Sequence, residues 1–179
     1  MPTSKKPAAK APKKSTSATS KSASAALEGK KAPAFELFDA DGKRIALKDL
    51  IGSNSLVLYF YPKDMTPGCT IEACSFRDNI APLKKLGAKV VGISADSTDS
   101  HGKFIAKHEL NFPLLADPGN KVCKLYGVYQ MKSLYGREFM GIERTTFIID
   151  QAGIVRRVFP KVKVNGHTEG VIEALKEIA

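Results

Sequence analysis

Three cysteines carry the most nucleophilic side chains in this 179-residue sequence, and one of them, Cys69, sits where reactivity is usually built. The stretch Tyr59-Phe60-Tyr61-Pro62-Lys63-Asp64-Met65-Thr66-Pro67-Gly68-Cys69-Thr70-Ile71-Glu72-Ala73-Cys74 leaves an apolar strand, turns through a Pro/Gly loop and enters a helix. In open α/β sheets, sites form beyond the carboxyl ends of strands. Cys69 would lie in the first helical turn, where free backbone N–H groups and the helix dipole favour negative charge on sulfur. Ionisation alone has a ceiling. A free thiol with a pKa near 8.5 is about 3% thiolate at pH 7, so complete ionisation gains at most roughly 30-fold in rate. Anything larger needs groups that act on the reaction partner as charge develops. Thr66, three residues before Cys69, offers a hydroxyl from the loop. Arg144, at the start of a later strand, offers a cation, although taken alone it is equally compatible with a surface charge.

The remaining candidates are plainer. Cys123 lies beside Val122 and Leu125 and is expected to be a small core residue. His101, His108 and His167 show no metal-ligand spacing with the cysteines, so no metal is expected. Arg137, Arg156 and Arg157 are expected to be solvated. Glu72 and Asp78 are assigned to the polar side of their helix.

The elements that must position these residues follow from periodicity. Phe35–Phe38 and Arg44–Leu47 flank the turn Asp39-Ala40-Asp41-Gly42 and predict a hairpin. Ser55–Tyr61 and Ala88–Ala95 are continuous apolar runs, the mark of strands buried on both faces. Cys69, Ala73, Phe76 and Ile80 form one face of a helix that Pro82 must end or kink, with Asn79 able to cap a continuation through Leu86. Ser97 or Asp99 can cap a helix through His108, with Phe104 and Ile105 facing inward. A short strand at Leu114–Ala116, a short helix at Lys121–Tyr126, strands at Thr145–Ile149 and Ile154–Phe159, and a helix at His167–Ile178 complete the pattern. Two strand–helix–strand passages, a strand pair and a closing helix predict a three-layer α/β/α domain on a mixed sheet.

Charge is unevenly spread. Residues 1–31 hold eight lysines and one acid, Glu28, and so carry +7 of the net +10. Residues 1–28 are rich in Lys, Ala, Ser and Pro and are expected to be a disordered tail, with the folded domain over 29–179. The tail is expected to be solubilising, or to give weak nucleic-acid contact, or to be a targeting segment, although its lack of Arg argues against a transit peptide. The first 26 residues contain no Val, Ile, Leu, Phe or Tyr, hence no signal-peptide core. The strongest apolar run, Leu56–Tyr61, is too short to span a bilayer. A small, odd cysteine count points to a reducing compartment, and the cytoplasm is the expected location, with a nucleoid-, nucleus- or organelle-associated protein as the alternative.

Pro62-x-x-x-Thr66-x-x-Cys69 resembles the active-site signature of the peroxiredoxins. The second cysteine five positions on, and the segment from Tyr135 to Asp150, are similar to the bacterioferritin-comigratory-protein, or PrxQ, subgroup. The likeness covers residues 29–179. It implies a thioredoxin-like fold and a thiol peroxidase acting on hydrogen peroxide and organic hydroperoxides. By resemblance, Cys69 is the peroxidatic thiol and Cys74 the resolving thiol. Thr66 orients peroxide, Pro62 shields the thiolate, and Arg144 activates both thiolate and peroxide. The resemblance also implies no metal or organic cofactor, reduction by thioredoxin or a similar dithiol protein, and a monomer.

Geometry constrains that pairing. On an ideal helix, residues five apart are separated by about 7.5 Å of rise and their Cα atoms by more than about 8 Å. A disulfide needs Cα atoms within about 7 Å. A Cys69–Cys74 bond therefore requires the helix to unwind. Two other readings remain at this stage. A thiol–disulfide oxidoreductase would use Cys-x-x-Cys, usually beside Trp, and this sequence has four residues between the cysteines and no Trp. A nucleic-acid-binding protein would act through the tail.

Overall fold

A computed structural model describes residues 22–178. The expectations for the lysine-rich stretch before residue 22 lie outside the described residues. The chain forms β1 (Glu36–Asp39), β2 (Arg44–Ala46), α1 (Leu47–Leu50), β3 (Ser55–Phe60), α2 (Pro67–Asp78) and α3 (Ile80–Lys85). Then follow β4 (Ala88–Ser94), α4 (Thr98–His108), β5 (Leu114–Ala116), α5 (Lys121–Leu125), β6 (Tyr129–Leu134) and β7 (Arg137–Ile142). The last elements are β8 (Thr145–Ile149), β9 (Val155–Phe159) and α6 (His167–Ile178).

The central strand β3 shows why its sequence is continuously apolar. Successive side chains in a strand point to opposite faces. Leu56, Leu58 and Phe60 enter one core with Val91, Ile93, Tyr126 and Phe147. Val57, Tyr59 and Tyr61 enter the other, with Ala73 and Phe76 of α2, Phe104 of α4, and Val171 and Leu175 of α6. The seven strands are ordered β2-β1-β5-β4-β3-β8-β9. β3, β4 and β5 run parallel, while β8 and β9 return antiparallel on one side and β1 and β2 on the other. This is the mixed-sheet α/β arrangement that the patterning predicted, and the thioredoxin-like fold that the resemblance implied.

Most elements match expectation, including the Pro82 segment as a separate short helix and Ser97 as the cap of α4, accepting from Ser100 N at 3.1 Å. Asn79 does not cap α3; its amide donates back to Ser75 O at 2.8 Å. The single turn α1, the separate hairpin β6–β7 and a short 3-10 turn at Ala25–Leu27 were not expected. The start of the domain also moves. Residues 22–28, placed in the tail by composition, pack on the sheet. Ser24 is buried, and Glu28 accepts from Val158 N at 3.1 Å. Gly127 (φ +69°) passes so close to this segment that a Cβ would lie 2.8 Å from the backbone of Ala23 and Ser24. No helix among the described residues is long and apolar enough to cross a membrane.

Candidate active site

Cys69 is the third residue of α2, 1% exposed, with its thiol free. Pro67 opens the helix, where its missing N–H costs nothing and its fixed φ suits the first turn. Thr66 occupies the N-cap position in extended backbone, yet its side chain does not cap this end. Its hydroxyl instead donates to Lys63 O at 2.9 Å. The first-turn N–H groups, which have no partner within their own helix, are thus left without a side-chain cap beside the thiol.

Arg144 reaches Cys69 through the sheet. The antiparallel register pairs Phe60, the last residue of β3, with Thr145, the first of β8. The residue before β8 therefore sits beside the loop that leaves β3. Its carbonyl accepts from Val162 N at 2.9 Å, which fixes the backbone. From there Nη2 donates to Cys69 Sγ at 3.3 Å, and Nη1 donates to Glu72 Oε1 at 2.9 Å. Gly68 allows this approach: a Cβ there would stand 3.2 Å from Arg144 Nη2.

Glu72 was assigned to a polar surface, and the structure corrects that. It is 1% exposed and lies on the buried face of α2 with Cys69, Ala73 and Phe76. The signal was available: an acid three residues after the cysteine shares its helix face. Burial pushes its carboxyl up to about 7, against the downward pull of Arg144. Its Oε2 has no hydrogen-bond partner among the described residues. Burial alone would lower Arg144, but Glu72 and Cys69 outweigh it and hold the guanidinium above its ordinary value. The result is a fixed cation with one arm on a carboxyl and the other on sulfur. Lys132 of β6 is also close; burial and Arg144 push its ammonium down, and it donates to Ile142 O at 2.9 Å.

The other expected residues are placed less intimately. Pro62 is half-buried where β3 ends, and neither it nor Thr66 is hydrogen-bonded to the Cys69–Arg144–Glu72 group. Cys74 lies farther along the same unbroken helix, half-buried and free. Cys123 is fully buried, as expected of a core residue. Among the described residues, one trio of ligand-type atoms lies within 4.8 Å, from Asp64, Asp96 and His101. Protein hydrogen bonds engage these residues: His101 Nδ1 meets Asp64 Oδ2 at 2.7 Å, and Asp96 Oδ2 accepts from Asp64 N and Ser94 Oγ.

A buried thiol in an uncapped first turn, with an arginine donating to its sulfur, can be held as a nucleophile and can stabilise negative charge on an atom leaving in line with it. A family model described as the AhpC/TSA family matches residues 28–158. The chain belongs to this family of peroxiredoxins. Peroxiredoxin Bcp of Bacillus subtilis is 46% identical over 151 residues, spanning 84% of this chain and 96% of that protein. Peroxiredoxin Bcp of Escherichia coli is 46% identical over 148 residues, spanning 83% and 94%. Among solved structures, a bacterioferritin comigratory protein of Xanthomonas campestris, studied for its alkyl peroxide reduction, aligns with a TM-score of 0.76 at 40% identity, covering 80% of this chain and 90% of that one. The peroxiredoxin described here is thus an oxidoreductase of the peroxidase class, in the Bcp/PrxQ subgroup.

Proposed function

We propose that this peroxiredoxin reduces hydrogen peroxide and organic hydroperoxides with Cys69 as the attacking thiol and Cys74 as the resolving thiol, and that a thioredoxin-type dithiol protein restores it. The observation that carries the reading is the 3.3 Å hydrogen bond from Arg144 Nη2 to a buried Cys69 Sγ. The alkyl peroxide reduction of the Xanthomonas relative supports organic substrates.

The thiolate of Cys69 attacks one peroxide oxygen and forms an S–O bond. The O–O bond breaks, and its electron pair leaves on the second oxygen, which takes a proton and departs as water or an alcohol. Cys69 is left as a sulfenic acid. Arg144 opposes the charge that grows on the leaving oxygen. Thr66 orients the peroxide with its hydroxyl, and Pro62 screens the thiolate from solvent. The thiol of Cys74 then attacks the Cys69 sulfur. An S–S bond forms, the S–O bond breaks, and hydroxide leaves as water with the thiol proton. A dithiol reductant exchanges with this disulfide and is itself oxidised. Because α2 is continuous from Pro67 to Asp78, the two thiols meet only after its first turns unwind. Resolution within one chain needs no second subunit, which supports a monomer.

The test is a single turnover of reduced protein with stoichiometric hydrogen peroxide at pH 7, with Cys69→Ser alongside. The expected rate exceeds free cysteine by far more than the roughly 30-fold that ionisation supplies, and the substitution abolishes it. A rate within that factor would overturn the reading. Cys74→Ser is expected to stop at the sulfenic acid.

A further inference from the structure

The loop between β3 and α2 is pinned by a buried polar network that the peroxide chemistry does not use. Asp64 lies at its centre, 4% exposed. Its Oδ1 accepts from Tyr61 Oη at 2.6 Å. Its Oδ2 accepts from Ser100 Oγ at 2.8 Å and meets His101 Nδ1 at 2.7 Å. Its backbone N–H donates to Asp96 Oδ2 at 2.8 Å, and that oxygen also takes the Ser94 hydroxyl at 2.6 Å. His101 is fully buried, and its Nε2 faces Leu115 O at 3.0 Å. A carbonyl only accepts, so Nε2 carries its hydrogen there. Nδ1 is then the ring nitrogen that meets Asp64. Burial pushes the Asp64 carboxyl up, but the donors, His101 first, outweigh it and hold it below its ordinary value.

These contacts come from five places in the chain: the end of β3, the loop, the end of β4, the start of α4, and β5. They converge on a residue five positions before Cys69. Between that anchor and the N-cap of α2 lies one residue, Met65, at φ 65°. A non-glycine side chain is unfavourable there and persists only where its surroundings over-determine it. The anchor is strong, the joint beside it is strained, and the helix that begins next must open for Cys69 to reach Cys74.

We propose that His101 is a positioning residue of the peroxidase cycle. By clamping Asp64 to β5, it holds the loop and the first turn of α2 in the closed form that takes peroxide, and so sets how often that turn opens for resolution. This rests on the function proposed above. Loss of the His101–Asp64 contact raises the open population. The sulfenic acid of Cys69 then meets the Cys74 thiol more often, forming the disulfide and releasing water. Capture of the closed sulfenic acid by a second peroxide, which gives sulfinic acid and water or alcohol, falls to match.

The test follows Cys69 by rapid quench and mass spectrometry, scoring sulfenic acid, disulfide and sulfinic acid. Two variants at one position divide the contact. In His101→Gln the amide nitrogen takes the place of Nε2 and abandons Asp64. In His101→Asn it takes the place of Nδ1 and keeps Asp64. A charged hydrogen bond of this kind is expected to hold the opening equilibrium by about tenfold. In His101→Gln the disulfide should therefore form about tenfold faster from the sulfenic acid, with sulfinic acid reduced by a similar factor at fixed excess peroxide. The first step should change by less than about twofold, because the closed form still dominates. His101→Asn should return towards wild type. A merely structural role would slow the first step and leave resolution unimproved. If His101→Gln does not fold, Ser100→Ala removes one donor to Asp64 and should accelerate resolution in the same sense, by about threefold. Resolution at or below the wild-type rate in the folded variant overturns the proposal. A wild type that forms neither sulfenic acid nor disulfide overturns the peroxidase reading itself, and this inference with it.

Discussion

Cys69 and Cys123 begin from nearly the same place. Each is the third residue of a helix, α2 in one case and α5 in the other, and each is almost completely buried. The helix-terminus argument that singled out Cys69 in the sequence applies equally to Cys123. What separates them is the charge each thiol faces. Cys69 receives a hydrogen bond from Arg144. Cys123 faces Asp117, whose Oδ2 accepts from the Cys123 backbone N–H at 2.9 Å. Burial, and then Asp117, pushes the Cys123 thiol far above its ordinary value. A helix N-terminus is thus not sufficient to make a nucleophile. Burial amplifies the partner's sign, because a charge in a low-dielectric site has little water to screen it.

The largest break in this comparison comes from taking the cation away. Arg144→Met removes the donor to sulfur and the charge that opposes the leaving oxygen. By analogy with loss of one preorganised donor to a developing anion, the peroxide reaction is expected to slow by about 10²-fold. Stopped-flow oxidation at pH 7 measures it. A loss under about threefold would mean that the helix terminus suffices after all, and Cys69 would differ from Cys123 for some other reason.

A smaller effect tests whether Glu72 tunes that cation. Its folded-state value near 7 lies above its unfolded 4.5. The folded protein therefore binds the extra proton between these values. This stabilises the fold fully below about pH 4.5, and the contribution is lost as pH rises through 7. Glu72→Gln cannot lose it. Between pH 5 and pH 8, wild type should lose stability relative to Glu72→Gln by an amount of order 1–3 kcal/mol, measured by urea unfolding. The peroxide rate of wild type should also inflect near pH 7, and that of Glu72→Gln should lack this inflection. Parallel stability profiles for the two proteins would show that the carboxyl is not titrating beside Arg144.

The same contrast explains what could be read from the sequence. β3 and β4 were legible because continuous apolar runs announce strands with two buried faces. α6 was legible because Val171, Ile172 and Leu175 keep a helical period. The hairpin β6–β7 was not, because it barely enters the core. Met131, Leu134, Phe139 and Met140 are exposed, so no face is marked by alternation. Its turn is Tyr135-Gly136, with both φ values positive, in place of the Asn-Gly that usually signals one. The N-terminal boundary was misplaced for a related reason. Composition registers the lysines and serines but cannot show that Ser24 is buried beside Gly127 and that Glu28 docks on β9. Within the site, the motif located Cys69, and the register of β3 with β8 explains Arg144. Glu72 was passed over because an acid was assigned to the polar side of its helix, and His101 because it was weighed only as a metal ligand. Their burial is a tertiary fact, set by Arg144 in one case and by Asp64 in the other.

The smallest expected effect separates burial from charge at Cys123. Asp117→Asn keeps an oxygen for the Cys123 N–H but removes the negative charge. Burial is the larger of the two causes that raise this thiol. Removing Asp117 therefore lifts the lesser one. Alkylation of Cys123 in a Cys69→Ser, Cys74→Ser background should accelerate by less than about tenfold and remain slow at pH 8. Should Cys123 instead become as reactive as Cys69 in the native protein, charge alone would decide the difference between two buried thiols. Arg144 would then be needed at Cys69 only to balance Glu72, and the slow alkylation expected here is what keeps a direct action of Arg144 on the sulfur in place.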